Sequence, residues 1–330
     1  MPVTMRDVAR MAGVSIKTVS RVVNQQGEIA AATRQRVIDA INELGYRPNR
    51  LARAMITQRT HTVGLVIPDI TNPFFPEVAR GVQDVAQEHG YNVFICNTDG
   101  GAVATQKALY SLADQSADGV IVFPAALRDE TLGEFADAFR PVVTINHLFE
   151  HQNVGCIMVE IRRGAQMAVE YLCQAGHVAI GMITTEHPPK MKTRRVLGYT
   201  DILQAHGLPI RDEWIVTGPA TLDGGYTLTH KLLDQFPEIT AIFTYNDLMA
   251  VGAISACKEM ARGVPQDCAI VGFDDIQLST VTTPALTTVR VDKYAVGQQA
   301  MHCVLHMLEH PDQQFVPTSI PMQLVVRESA

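Results

Sequence analysis

The stretch VSIKTVSRVVN, Val14–Asn24, sets a serine ahead of a run whose valines at 19, 22 and 23 recur at helical spacing, while Lys17, Ser20, Arg21 and Asn24 form a second, polar and basic stripe. Ser15 is an N-cap for this helix, and Val14 and Val19 take the two positions of a hydrophobic staple, which sets the angle of chain entry. Upstream, Thr4 caps the helix MRDVARMA, with Asp7 close to the capping-box spacing and Gly13 as its stop. A small Ala9, a glycine free to take positive φ and an inward Val19 make a helix-turn-helix. A third helix, TRQRVIDAINELG, presents Val37, Ile38, Ile41 and Leu44 and completes a three-helix core.

A helix-turn-helix lays its second helix in the major groove with its N-terminal residues toward base edges. Lys17 and Arg21 are donors suited to guanine O6 and N7, and Ile16 suits a thymine methyl. Thr4, Ser15, Thr18, Ser20 and Asn24 complete the candidate DNA-contacting set in these helices. The competing reading is a solvated basic face; the caps, the turn and the charge together favour DNA. Residues 1–60 hold ten Lys and Arg against four Asp and Glu, whereas the other 270 hold seventeen against thirty. A basic head on an acidic body suits a polyanion, whose contacts release counterions.

Downstream, YRPNRLARAMITQRT sets Leu51, Ala52, Met55 and Ile56 between Arg47, Arg50, Arg53 and Arg59, with Pro48 able to start a short helix at Asn49. Alone in water so short a helix is marginal. It is expected to form against a partner copy and DNA, as a hinge, with Asn49, Arg50, Ala52 and Met55 as its DNA-contacting residues.

These blocks resemble the lactose/galactose repressor (LacI/GalR) family of bacterial transcription regulators: VTMRDVARMAGVSIKTVSRVVN, the TRQRV helix and GYRPNRLARAM match almost position by position. The family's general pattern extends over essentially the whole chain. The resemblance implies that two hinge helices enter the minor groove and wedge an apolar side chain into a base step, with Met55 here as a softer wedge than the usual leucine.

From His61 onward, short β-rich runs (TVGLVIP, YNVFICN, DGVIVF, PVVTIN, AIGMITT, EWIVTG, AIFTYN, CAIVGFDD) alternate with helical stretches, which implies parallel sheets covered on both faces. Trp214, the one tryptophan, is placed in a strand by this reading. The strands divide into two halves with a break near residues 160–162. The resemblance implies a periplasmic-binding-protein-like body of two doubly wound parallel-sheet subdomains, with further crossings near 290 and 320. The α/β chain is therefore read as a three-helix DNA-binding domain (1–46), a hinge helix and linker (47–60), and an effector-binding and dimerisation body (61–330). Within the body an N-subdomain covers about 61–160 and 291–319, and a C-subdomain about 161–290 and 320–330.

Ligands in such sheets bind beyond the carboxyl ends of the strands. Those ends supply Asn72, Phe74 and Phe75 from DITNPFF, Asn146, Asn246 from YND, and Asp274 from FDD, with Arg195 opening a helix after a strand. Carboxylates, amides, an arginine fork and aromatic faces suit a polyol. By resemblance, Arg195, Asn246 and Asp274 match positions that commonly hold a small effector, often a sugar, and Phe74 or Phe75 a ring-contacting position, with Asn146 matching less closely. Asp247 and Asp275 read better as braces or caps, and Phe75 reads equally well as core. Glu160-Ile161 stands where many relatives have Asp-Asn. A carbohydrate is the leading effector, with a nucleoside or base as the alternative.

No GxGxxG after a first strand, GxxxxGK[ST], GxSxG or HExxH is present, so a switch is favoured over an enzyme, and no cofactor is expected. A solute-binding protein would share the cleft but has no use for the helix-turn-helix. The six cysteines at 96, 156, 173, 257, 268 and 303 form no CxxC pair and read as buried thiols, with no metal site. Charges in MPVTMRDVARMAG break any signal-peptide pattern, and the longest apolar runs fall short of a membrane span, so a cytoplasmic protein is expected. One helix-turn-helix reads a half-site, which points to a homodimer on a palindromic operator.

Overall fold

The computed structural model describes residues 3–23, 27–46, 59–124, 127–139, 141–185, 193–313 and 315–330. They form two compact units, Met1–Thr60 and His61–Ala330. The expected hinge residues Asn49, Arg50, Ala52 and Met55, and Asn24 of the recognition stripe, lie outside the described residues.

The first unit contains α1 (Met5–Ala12), α2 (Ile16–Val23) and α3 (Ala31–Leu44). Its caps form as the local chemistry dictates. Asp7 Oδ2 accepts from Thr4 N at 3.0 Å and from Thr4 Oγ1 at 2.7 Å, Gly13 turns the chain at φ 64°, and Ser15 Oγ accepts from the Thr18 amide at 3.1 Å. Val8, Ala9, Ala12, Val19, Val22, Val37, Ala40 and Tyr46 are the shared core. Ile38 is a correction: it is 37% exposed. At 100° per residue, Val37, Ala40, Ile41 and Leu44 share one inward arc, and Ile38 falls beyond its edge.

The second unit has two six-stranded sheets. The first holds β1 (Thr62–Ile67), β2 (Asn92–Asn97), β3 (Gly119–Val122), β4 (Val142–Ile145), β5 (Val154–Val159) and β11 (Thr318–Ile320), in the order β11-β5-β4-β3-β1-β2. The second holds β6 (Ile180–Thr185), β7 (Ile215–Gly218), β8 (Ala241–Thr244), β9 (Ala269–Asp274), β10 (Thr287–Val291) and β12 (Met322–Val325), in the order β12-β10-β9-β8-β6-β7. Every pairing is parallel except that of β12 with β10. Helices α4 (Phe74–Glu88), α5 (Ala102–Asp114), α6 (Asp129–Ala138) and α11 (Lys293–Glu309) follow strands of the first lobe or pack on it; α7 (Ile161–Gln174), α8 (Arg194–Ala205), α9 (Leu222–Gln235) and α10 (Asp247–Glu259) belong to the second.

The chain passes between lobes after β5, after β10 and between β11 and β12. Each passage leaves from the carboxyl end of a parallel strand. The two carboxyl edges are thereby hinged to each other.

Sequence periodicity misses β5, β10, β11 and α6. In β10 the reason is chemical: Thr287 and Thr288 look polar but are fully buried, because Thr288 Oγ1 donates to Asp247 and Thr287 Oγ1 accepts from the Arg327 amide at 2.9 Å. Trp214 is a second correction. It ends a 3-10 turn, Asp212–Trp214, ahead of β7 and is 2% exposed.

Two helix pairs approach so closely that only glycine fits. A Cβ on Gly81 of α4 would collide with the Tyr294 carbonyl of α11 and one on Gly297 of α11 with the Val78 carbonyl; Gly225 of α9 and Gly252 of α10 face the Met249 and Leu222 carbonyls in the same reciprocal way. The obstacles are backbone, so relief requires the helices to part. Gly252→Ala is therefore expected to cost about 1–3 kcal/mol, read as a lower urea midpoint at unchanged m-value.

Candidate functional site

On the first unit, α2 turns Val19 and Val22 inward and leaves Ser15, Ile16, Lys17 and Arg21 exposed, with Thr18 and Ser20 half-buried. Ile16 is 45% exposed. Thr18 Oγ1 is already engaged with Ser15 Oγ at 2.9 Å, so both hydroxyls serve the cap first. Thr4 is exposed beyond α1. The result is one convex face carrying two long cationic donors and an apolar tip, set on a rigid capped helix.

In the second lobe, Arg195 and Asp274 come together. Arg195, in the first turn of α8, lies between two aromatic rings, its guanidinium carbon 4.2 Å from the Tyr245 centroid and 4.1 Å from that of Phe273. Its Nη2 is 3.5 Å from Asp274 Oδ1, and its side chain is only 12% exposed. Nε is buried with no hydrogen-bond partner. A guanidinium carries five donors, so this one is far short of acceptors. Burial pushes the Asp274 carboxyl up to about 7, against the pull of Arg195 and Lys293 and with Glu77 adding to the rise.

The backbone at the end of β9 is turned to suit. Asp274 and Asp275 adopt φ of 112° and 52°, a region unfavourable for non-glycine residues and concentrated at ligand sites. Lys293 Nζ holds the turn by donating to the carbonyls of Asp274 at 2.8 Å and Asp275 at 2.9 Å, and it also pairs with Glu77 at 3.5 Å.

Asn246, expected to face a ligand, is foremost the cap of α10. It is 2% exposed, its Oδ1 accepts from the Met249 amide at 2.9 Å and its Nδ2 donates to the Ala220 carbonyl at 3.2 Å. One amide hydrogen is left for any other partner. Asp247 is fully buried; it accepts from the Ile276 amide at 2.8 Å and from Thr288 Oγ1. Desolvation, reinforced by Asp274, pushes its carboxyl well above the ordinary range. Asp275 pairs with Arg290 and with Arg327, each at 2.6 Å. Both aspartates brace the frame.

In the first lobe, Asn72 Oδ1 accepts from the Phe74 amide at 3.0 Å and so starts α4. Phe74 is buried and Phe75 half-buried; Phe75 sits edge-on at 5.1 Å to both Phe74 and Phe123. Asn146 takes φ 60°, and its Oδ1 accepts from the Val159 amide at 2.8 Å, tying the ends of β4 and β5. Among the described residues no hydrogen bond or ion pair joins Asn72, Phe74, Phe75 or Asn146 to Arg195, Asn246 or Asp274. The two sets stand on separate lobes.

Phe123, Tyr245, Phe273 and Lys293 escape the sequence reading. Tyr245 and Phe273 immediately precede Asn246 and Asp274, and an arginine with one carboxylate partner calls for aromatic faces, so that signal was present. Lys293 opens a helix with nothing in its neighbourhood to mark it.

Residues 4–49 match the family model described as bacterial regulatory proteins, lacI family, and residues 60–328 match that of periplasmic binding proteins and the sugar binding domain of the LacI family. The chain belongs to the LacI family of DNA-binding transcriptional regulators. Catabolite control protein A of Priestia megaterium is 35% identical over 330 residues, covering 100% of this chain and 99% of the relative. The Lac repressor dimer bound to operator and the anti-inducer ONPF superposes with a TM-score of 0.86 at 27% identity, covering 100% of this chain and 99% of the repressor. The complex of the transcriptional regulator CelR with cellobiose has a TM-score of 0.75 at 29% identity, covering 99% of this chain and all of that one. No described helix is long and apolar enough to cross a membrane.

For the cleft, the local electrostatics make a direct prediction. Asp274 should titrate near neutrality in a carboxyl-carbon NMR experiment, and Arg195→Met, which removes a cation that favours the ionised form, should move its midpoint higher still. A midpoint near 4 in the intact protein contradicts the burial argument.

Proposed function

We propose that this regulator is a ligand-gated repressor: a homodimer whose helix-turn-helix reads a palindromic operator and whose two-lobed body binds a small carbohydrate effector between its carboxyl edges. In this reading residues 1–46 contact DNA, 47–60 form the hinge, and 61–330 bind the effector and dimerise, with an N-subdomain of about 61–160 and 291–319 and a C-subdomain of about 161–290 and 320–330. The protein works in the cytoplasm and performs no catalysis.

The observation that carries the reading is the buried Arg195–Asp274 pair. An arginine held between two rings with one acceptor at 3.5 Å is costly unless oxygen atoms arrive to complete it. Hydroxyls of a sugar can accept from the guanidinium and donate to the carboxylate at once. Phe74, Phe75 and Asn146 supply an apolar face and an amide from the other lobe, and Asn72 stands at its edge. CelR, bound to cellobiose, supports this assignment, as does the sugar-binding description of the matched domain.

Binding to both lobes changes the angle between them, and with it the spacing of two hinge segments in a dimer. Such coupling typically amounts to about 1–3 kcal/mol, and DNA must alter effector affinity by the same factor. The edge strand β2 supports self-association: Phe94 and Ile95 are 48% and 45% exposed, an unpaired apolar edge that a monomer would normally blunt.

For the DNA face, Arg21→Ala is expected to cost about 1–3 kcal/mol on the operator and to relax preference at one base pair, whereas Arg50→Ala weakens all sequences alike and lowers the salt slope by about one unit. Equal losses on operator and random duplex for Arg21→Ala would remove it from base reading. For the cleft, a thermal-shift screen of sugars, nucleosides and bases should yield a concentration-dependent rise in melting temperature. Asp274→Ala should abolish that rise while operator binding persists; a rise that survives the substitution places the ligand elsewhere.

A further inference from the structure

Among the described residues, Lys293 is the one lysine or arginine that is buried, at 4% exposed. Lysines are almost never buried unless paired, and the dipole of a helix disfavours a cation at its first residue, which is where α11 places this one. Neither burial nor helix formation accounts for a lysine here. Its partners do. An ammonium has three hydrogens to donate, and three carbonyl oxygens surround this one, those of Asp274 at 2.8 Å, Asp275 at 2.9 Å and Val291 at 3.4 Å. Two of them belong to the positive-φ end of β9, a backbone form that persists only where its surroundings hold it.

Carbonyls are dipoles and leave the charge of the ammonium without a counter-charge. Glu77 Oε2, at 3.5 Å, provides one. Glu77 stands in the first turn of α4 on the first lobe, whereas Asp274 and Asp275 end a strand of the second. An acid in a first turn suits the helix dipole by itself, but that preference does not require its carboxylate to meet a buried lysine. Lys293 also favours the ionised form of Asp274, and Glu77 opposes it. Charges therefore alternate through Arg195, Asp274, Lys293 and Glu77, from α8 of one lobe to α4 of the other. The Asp275 carboxylate stays out of this row, engaged by Arg290 and Arg327.

We propose that Lys293 is a positioning residue of the cleft: it clamps the end of β9 in the turned form that presents Asp274, and Glu77 of the first lobe holds Lys293 at that post, so the presentation of Asp274 depends on how the two lobes stand. An ammonium on a flexible four-carbon stem has no fixed direction of its own, and a carboxylate across the lobe boundary supplies one. Parting the lobes withdraws Glu77. Lys293 then either follows it and releases the two carbonyls or stays and loses its counter-charge, and in both cases the β9 end is held less firmly. The inference rests on the reading that Asp274 belongs to the cleft and requires no particular effector.

Asp274-Asp275 is the one Asp-Asp pair in the chain. Full-length protein made by cell-free synthesis, with isotope only in the carbonyl carbon and amide nitrogen of aspartate, therefore gives a single carbonyl-to-amide NMR cross-peak, and its carbonyl is the one that accepts from Lys293. Without any ligand, Lys293→Met should shift this peak. Glu77→Gln should shift it as well, although Glu77 bonds to neither aspartate, and should cause no further shift once Lys293→Met is in place. Circular dichroism melting checks folding; Glu77 is exposed, so its variant is expected to fold, and Lys293→Gln serves as the background where Lys293→Met does not melt cooperatively. A peak that stays in place on Lys293→Met or on Glu77→Gln overturns the proposal. So does a Glu77→Gln shift of equal size with and without Lys293, which assigns the effect to the field of the carboxylate alone. Because no effector enters the experiment, its failure is separate from that of the cleft reading, which the sugar screen on Asp274→Ala tests.

Discussion

A guanidinium buried between Tyr245 and Phe273, with Asp274 as its one charged partner, is the constraint around which the second lobe is arranged. Removing a cation from water costs several kcal/mol, and one carboxylate at 3.5 Å, itself pushed up to about 7 by burial, does not offset that. The rings contribute through their negative faces, and they also fix the plane of the fork. What results is a donor array pre-oriented before any ligand arrives, which lowers the ordering cost that binding would otherwise incur.

Holding Asp274 in place requires a second layer. Asp275 is gripped by Arg290 and Arg327, Asp247 is closed off by Thr288 and the Ile276 amide, and Lys293 pins two carbonyls in the turned segment. Three aspartates within one small region would repel one another if all were exposed alike. Their environments differ instead: burial pushes the Asp247 carboxyl well above the ordinary carboxylate range, Arg290 and Arg327 hold Asp275 below it, and burial raises Asp274 to about 7. Lys293 adds a mechanical consequence. It starts α11, and α11 is locked to α4 by the reciprocal glycine contacts at Gly81 and Gly297, so the strand end carrying Asp274 is tied to the first lobe's helical layer.

How far the sequence discloses this follows the range of the interactions. The head is legible nearly residue by residue, because the Thr4–Asp7 box, the Gly13 turn and the Ser15 cap are settled within a few positions of chain. Ile38 misleads because an apolar residue beside Val37 looks like part of the inward stripe although it lies beyond the arc that Val37, Ala40, Ile41 and Leu44 share. The two-sheet body is legible as a class, but β10 is not, since buried threonines are recognisable only once Asp247 and Arg327 are known to meet them. At the cleft, residue types at strand ends single out Arg195 and Asp274 and miss what encloses them. Asn246 looks identical in sequence whether it caps α10, faces a ligand or does both, and the cap is visible only once its Oδ1 is seen to accept from the Met249 amide.

The two units meet different physical demands, and that difference explains why signalling between them is feasible. The helix-turn-helix is a small core stiffened by caps, so its exposed face with Lys17 and Arg21 changes little in shape. The body is built from two lobes linked by three strand-end passages, and one apolar cluster includes residues of both. A regulator needs rigidity where it reads and compliance where it senses. Here the stiff element is made from short-range sequence signals, whereas the turned strand end carrying Asp274 is held by long-range contacts from Lys293, Arg290 and Arg327.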